Sequence, residues 1–96
     1  MKFNLPERVF NDLIKFAEKH SLNKIILFGS RAKNIHDLKS DIDIAVTGGD
    51  FDAFYFDVNE NIHSLLMFDI VNLNSITSQE LNDEIKNYGV TIYEKA

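Results

Sequence analysis

Apolar residues recur every three or four positions along the first twenty: Val9, Phe10, Leu13, Ile14 and Ala17, with Lys15, Glu18 and Lys19 outside the stripe. That spacing predicts an amphipathic helix. Asn4-Leu5-Pro6-Glu7 supplies its start, a capping asparagine followed by proline and an acid in the first turn, and the helix should end near His20-Ser21. Lys24-Ile25-Ile26-Leu27-Phe28 is too short for a helix and reads as a buried strand that stops at Gly29-Ser30. Arg31 to Lys39 is polar, with Asn34 and Asp37 as turn formers, and a short helix is expected to begin at Ser30. From Asp41 to Val46 the pattern alternates. Ile42, Ile44 and Val46 point one way and Asp41, Asp43 and Ala45 the other, a second strand ended by Gly48-Gly49.

Phe51, Phe54, Val58 and Ile62 fit a helical stripe that Asp50 can cap. Phe54-Tyr55-Phe56 is also strand-like, but strands flank the segment from Asp50 to Leu66 on both sides, which favours helix. Met67 to Leu73 reads as a third strand with Asp69 inside it. Thr77-Ser78-Gln79-Glu80 is a capping-box pattern, Leu81, Ile85 and Tyr88 continue a helix, and Gly89 terminates it. Val90-Thr91-Ile92-Tyr93 is a last short strand. The order αβ(α)βαβαβ describes an α/β or α+β fold in a single domain over residues 1–96.

Composition narrows the function. With no cysteine, disulfides, thiolate zinc sites and cysteine nucleophiles are excluded. The net charge is −5, and from Asp37 to Asp69 eight acids stand against one base, Lys39. Such a surface disfavours nucleic acid and is either a solvated acidic face or a cation-binding one. His20, His36 and His63 are too scattered for a histidine metal site and read as surface or helix-end residues. No apolar run approaches the roughly 18 residues of a membrane span, and no signal-peptide pattern is visible, so a cytoplasmic location is expected.

Three features bear on chemistry. Gly29-Ser30 directly follows a buried strand, where backbone N–H groups and the Ser30 hydroxyl can approach a phosphate chain. Asp41 and Asp43 alternate on one strand face, about 6–7 Å apart at Cα, within reach of one or two shared divalent cations. Asp69 is an isolated acid in an apolar run, costly to bury without a partner or a metal. Each also has a plain structural reading: a capped turn, a solvent-facing strand edge, a paired structural aspartate. Asp-x-Asp alone decides nothing, because Asp50-Phe51-Asp52 repeats it. The aromatics Phe51, Phe54, Tyr55 and Phe56 read first as core packing and second as a partner interface, since they cannot all share one stripe. Asp50, Asp52, Asp57 and Glu60 read as a solvated acidic face, and Glu80, Asp83 and Glu84 as an exposed helix face.

Taken together, the motifs are more specific. Leu27-Phe28-Gly29-Ser30-Arg31-Ala32, ten residues between Ser30 and Asp41, then Ser40-Asp41-Ile42-Asp43-Ile44-Ala45-Val46 and the later Phe68-Asp69-Ile70-Val71 resemble the signature of the DNA polymerase β-type nucleotidyltransferase superfamily. The resemblance covers roughly residues 7 to 94 and is nearest the minimal nucleotidyltransferases (MNT). It implies a mixed sheet of about four strands flanked by helices. Gly29 and Ser30 would hold the β- and γ-phosphates of a nucleoside triphosphate, with ATP the expected donor. Asp41 and Asp43 would bind two Mg²⁺ ions; Asp69 would complete one metal site and help deprotonate the acceptor hydroxyl. Arg31 would either reach phosphate or hold the loop through a surface ion pair. Larger members carry an additional acceptor-binding domain, so here the acceptor is expected in trans. Minimal members resemble antitoxins paired with a helical HEPN-domain protein, to whose tyrosine AMP is transferred. The alternative is a non-catalytic module that neutralises a HEPN-like partner by covering it. RNA tailing is disfavoured by the charge.

Overall fold

The computed structural model describes residues 4–75 and 77–96. Its elements are α1 (Glu7–Lys19), β1 (Leu22–Phe28), α2 (Gly29–Ala32), β2 (Ile42–Gly48), α3 (Phe51–Asn61), β3 (Phe68–Asn72), α4 (Gln79–Tyr88) and β4 (Val90–Glu94). The strands form one sheet in the order β3-β2-β1-β4. β1 is antiparallel to both its neighbours, and β2 and β3 run parallel. The β2–α3–β3 crossover produces the parallel pair, because two parallel strands cannot be joined by a tight hairpin. The expected element order and mixed four-stranded sheet are both present.

The alternation along β2 decides how the sheet is covered. Ile42, Ile44 and Val46 are fully buried and join Leu13, Ala17, Phe54 and Val58 in the larger core, beneath α1 and α3. Truncating such a side chain, Ile44→Ala for example, costs about 2–5 kcal/mol. Ala45, on the opposite face, packs with Phe28 and Ile85 in a smaller core beneath α4. That second face is covered only in part, and it carries Asp43. No helix among the described residues is long and apolar enough to cross a membrane.

Two helix starts differ from their expected caps. Pro6, not Asn4, occupies the N-cap of α1, and its carbonyl accepts from Phe10 N at 3.0 Å. Leu5 is drawn into the core, which turns Asn4 toward α2, where its Nδ2 donates to the Arg31 carbonyl at 2.8 Å. At α4 the cap is Ser78, one residue beyond the capping-box threonine; Ser78 Oγ accepts from Leu81 N at 3.2 Å, and Thr77 instead donates to Asn82 Oδ1. Asp50 caps α3 as expected, accepting from Ala53 N at 3.2 Å.

Asp57 is not part of a solvated face. It is buried between α1 and α3, where His20 Nε2 lies 2.5 Å and Lys19 Nζ 3.2 Å from its Oδ2, and Asn61 Nδ2 donates to its Oδ1 at 2.6 Å. The His20 and Asn61 hydrogen bonds, with Lys19 alongside, hold its carboxyl at about 2. The apolar period of α3 alone conceals this, since Asp57 adjoins Val58 on the inward side.

Candidate active site

β1 ends at Phe28, which is in register with Asp43 on β2. The next residue, Gly29, turns the chain into α2 with φ +72°. A side chain is strained at that backbone angle, and a Cβ placed there would collide with the Asp43 carboxylate. The glycine therefore lets the backbone pass directly over Asp43. Ser30 follows, half-buried, and its carbonyl accepts from Ile35 N at 3.0 Å.

Parallel pairing brings Asp69 of β3 to the same rung as Asp43. Residues opposed in a parallel ladder share a face, and neighbouring strands lie about 4.8 Å apart. Asp69 is exposed on the edge strand, whereas Asp43 is half-buried one strand further in. Asp41 lies just before β2 and is exposed. The start of this ladder is fastened by Ile42 N donating to the Met67 carbonyl at 2.9 Å. Burial, followed by Asp69, Asp41 and Glu84, pushes the Asp43 carboxyl up to about 6.

The three aspartates make no ion pair with the described residues. Nor do any three His, Cys, Asp or Glu side chains among the described residues converge closely enough to enclose a metal ion. Asp43 and Asp69 thus share a face and repel one another. The donor set nevertheless fits a hard divalent cation: carboxylate oxygens only, partly desolvated, with charge that no protein cation offsets.

Arg31 neither points to this face nor forms a surface ion pair. It is buried, its Nη1 donating to the Asn4 carbonyl at 2.8 Å and its Nε and Nη2 to the Ser40 carbonyl at 3.2 and 3.1 Å. The guanidinium fork thereby ties α2 to the residue before Asp41.

Glu84 was not among the expected site residues. It is half-buried on α4, and Lys33 Nζ lies 2.7 Å from its Oε1 and 4.6 Å from the Tyr88 ring centroid. Its negative charge contributes to the raised Asp43 carboxyl. The signal in the sequence is its spacing: Glu84 lies three residues after Leu81 and four before Tyr88, on the side of α4 that meets Lys33, unlike the exposed Glu80 and Asp83.

A family model described as polymerase beta, nucleotidyltransferase, matches residues 11–96. No curated protein matches the chain significantly. Solved structures do. A chain of a toxin–antitoxin complex with AMP-PNP is 28% identical, with a TM-score of 0.68, over 90% of this chain and 73% of that one. A chain of the toxin–antitoxin MntA-HepT is 26% identical, with a TM-score of 0.62, over 94% and 74%. A third match comes from the tri-AMPylated Shewanella oneidensis HEPN toxin in complex with MNT antitoxin: 26% identity and a TM-score of 0.61 over 91% and 71%.

Proposed function

The chain belongs to the polymerase β nucleotidyltransferase family, and from that premise we propose that it transfers AMP from ATP to a hydroxyl of a helical HEPN-type partner protein, as the antitoxin of a toxin–antitoxin pair. The observation that carries this reading is the shared rung of Asp43 and Asp69 beside the left-handed Gly29 turn. The company of the fold supports it. Its structural relatives include one toxin–antitoxin complex with AMP-PNP and another whose toxin is AMPylated.

In this proposal Gly29 and Ser30 take the β- and γ-phosphates, through backbone N–H groups and the Ser30 hydroxyl. Asp41, Asp43 and Asp69 would hold Mg²⁺, which when bound offsets the triphosphate charge and polarises the α-phosphoryl group. Asp69, exposed on the edge strand, meets the incoming acceptor and takes the proton of its hydroxyl on a carboxylate oxygen. The acceptor oxygen then bonds to the α-phosphorus, the α–β bridging P–O bond breaks, and pyrophosphate leaves. Arg31 sets the position of Asp41 from behind, by holding the Ser40 carbonyl. The chain's contribution is positioning and electrostatics, with no covalent intermediate on the protein.

The test is to incubate the protein with ATP, Mg²⁺ and the product of the adjoining reading frame, and to measure the mass of that partner. A gain of one or more AMP units that is lost in both Asp41→Asn and Asp43→Asn supports transfer. Neutralisation of the partner's activity without any mass gain points instead to a covering module.

A further inference from the structure

Four large apolar side chains lie exposed on the side of the sheet formed by α3 and β3. Tyr55 is 48% exposed, Phe56 60% and Met67 69%, and Leu65 is fully exposed. They are not scattered. An open groove of about 510 Å³ runs along the outer side of α3 between Phe51 and Glu60, with Tyr55 and Phe56 in its wall. Asn59 also borders the next depression, which reaches Met67 and Phe68; Ile62 and Ser64 lead from there to Leu65. Because α3 runs back from the end of β2 to the start of β3, this track finishes at Met67 and Phe68, where the edge strand begins; Asp69, the next residue, faces the other side of the sheet. An apolar strip of this kind on a small protein marks an interaction surface.

Charge decides the occupant. No Lys or Arg occurs between Lys39 and Lys86, while Asp52 and Glu60 line the groove. A second copy packed patch to patch would bring acid against acid. Nucleic acid would be repelled. We propose that this track is the docking surface of the acceptor protein itself. It receives an apolar helical face bordered by Lys and Arg, laid along α3 toward the edge strand β3, which carries Asp69. The inference rests on the transfer reading above for its acceptor, and it adds where that acceptor sits. A helix in a groove, anchored by apolar residues on one stripe, is the recognition mode the geometry fits. Complementary charge along the rim sets orientation and encounter rate.

The experiment measures association of the adjoining-frame product with wild-type protein and with Phe56→Lys, Phe56→Glu and Leu65→Lys. Thr91→Glu, on the opposite edge strand, is the control. Binding of a fluorescent ATP analogue is followed in parallel, and thermal melts establish that each variant is folded. Expected are at least tenfold weaker association for Phe56→Lys and Leu65→Lys, a smaller loss for Phe56→Glu, no change for Thr91→Glu, and unaltered nucleotide binding throughout. Wild-type association in both lysine variants would overturn the proposal. So would a wild-type dimer that Phe56→Lys converts to monomer, since the occupant would then be a second copy. A partner that needs the track for binding yet never gains AMP refutes transfer while leaving the docking surface in place.

Discussion

Asp43 and Asp69 stand opposite one another on the same rung of the parallel β2–β3 ladder, one half-buried and the other exposed. The pairing places like charges side by side with no cation from the protein between them. Burial first, and this pairing with it, raise the Asp43 carboxyl to about 6. Part of the fold's stability is thus given up at the place where the proposed chemistry needs negative charge.

Removing that charge should stabilise the metal-free chain. A carboxyl raised in the folded state disfavours folding once it ionises, so the cost is absent below about pH 4 and complete above about pH 6. Asp43→Asn is expected to gain about 1 kcal/mol at pH 8, after allowance for solvent screening, and nothing at pH 4. Mg²⁺ should raise the melting temperature of the wild type and not that of Asp43→Asn. Thermal melts at the two pH values, with and without Mg²⁺, check both points.

Gly29→Ala meets two obstacles, the left-handed backbone and the Asp43 carboxylate. The backbone alone costs about 1–2 kcal/mol, which lowers the melting temperature by about 5 °C or more in a domain of this size. AMP transfer should fall more than tenfold even at temperatures where the variant is fully folded. A melt and a transfer assay on the same preparation separate the two effects.

Arg31→Ala leaves the Ser40 and Asn4 carbonyls without their donors and is expected to destabilise by about 2–4 kcal/mol. Arg31→Lys keeps the charge but loses the planar fork, so it should fold and transfer slowly. The discriminating readout is kcat. It should drop with the KM for ATP little changed, because Arg31 holds the loop before Asp41 and its donors are taken up by the Ser40 and Asn4 carbonyls.

Asp57 predicts the acid limb of stability. Its carboxyl titrates at about 2 in the folded chain and near 3.9 unfolded. The ionised form therefore contributes fully above about pH 4, and the contribution is lost as the pH falls toward 2. The melting temperature of the wild type should decline more steeply between pH 4 and pH 2 than that of Asp57→Asn, with the two curves converging at the acid end.

What could be read from the chain alone follows from where the information is local. Period and punctuation place most of the helices and strands, because the alternation through Ile42, Ile44 and Val46 and the stop at Gly29 are short-range signals; α3 needs the flanking strands as well, since Phe54-Tyr55-Phe56 is also strand-like. Caps are less secure: Asn4 and Thr77 have the right chemistry, but the burial of Leu5 and a one-residue choice at Ser78 are settled by packing. The rung shared by Asp43 and Asp69 is a pairing across 26 positions, and only register shows it. Asp57 and Glu84 were placed in acidic clusters by composition, although each has a partner from another element, His20 in one case and Lys33 in the other. The exposure of Tyr55 and Phe56 follows from the helical stripe, which accommodates Phe51, Phe54 and Val58 and leaves those two outside it.

The most direct measurement follows the label. With partner protein and Mg²⁺ present, ATP labelled at the α-phosphate and ATP labelled at the γ-phosphate are supplied in separate reactions to the wild type and to Asp43→Asn and Asp69→Asn. Label on the partner from the α-position alone, absent with either variant, is the predicted result. Label from the γ-position, or α-label undiminished in both variants, contradicts it.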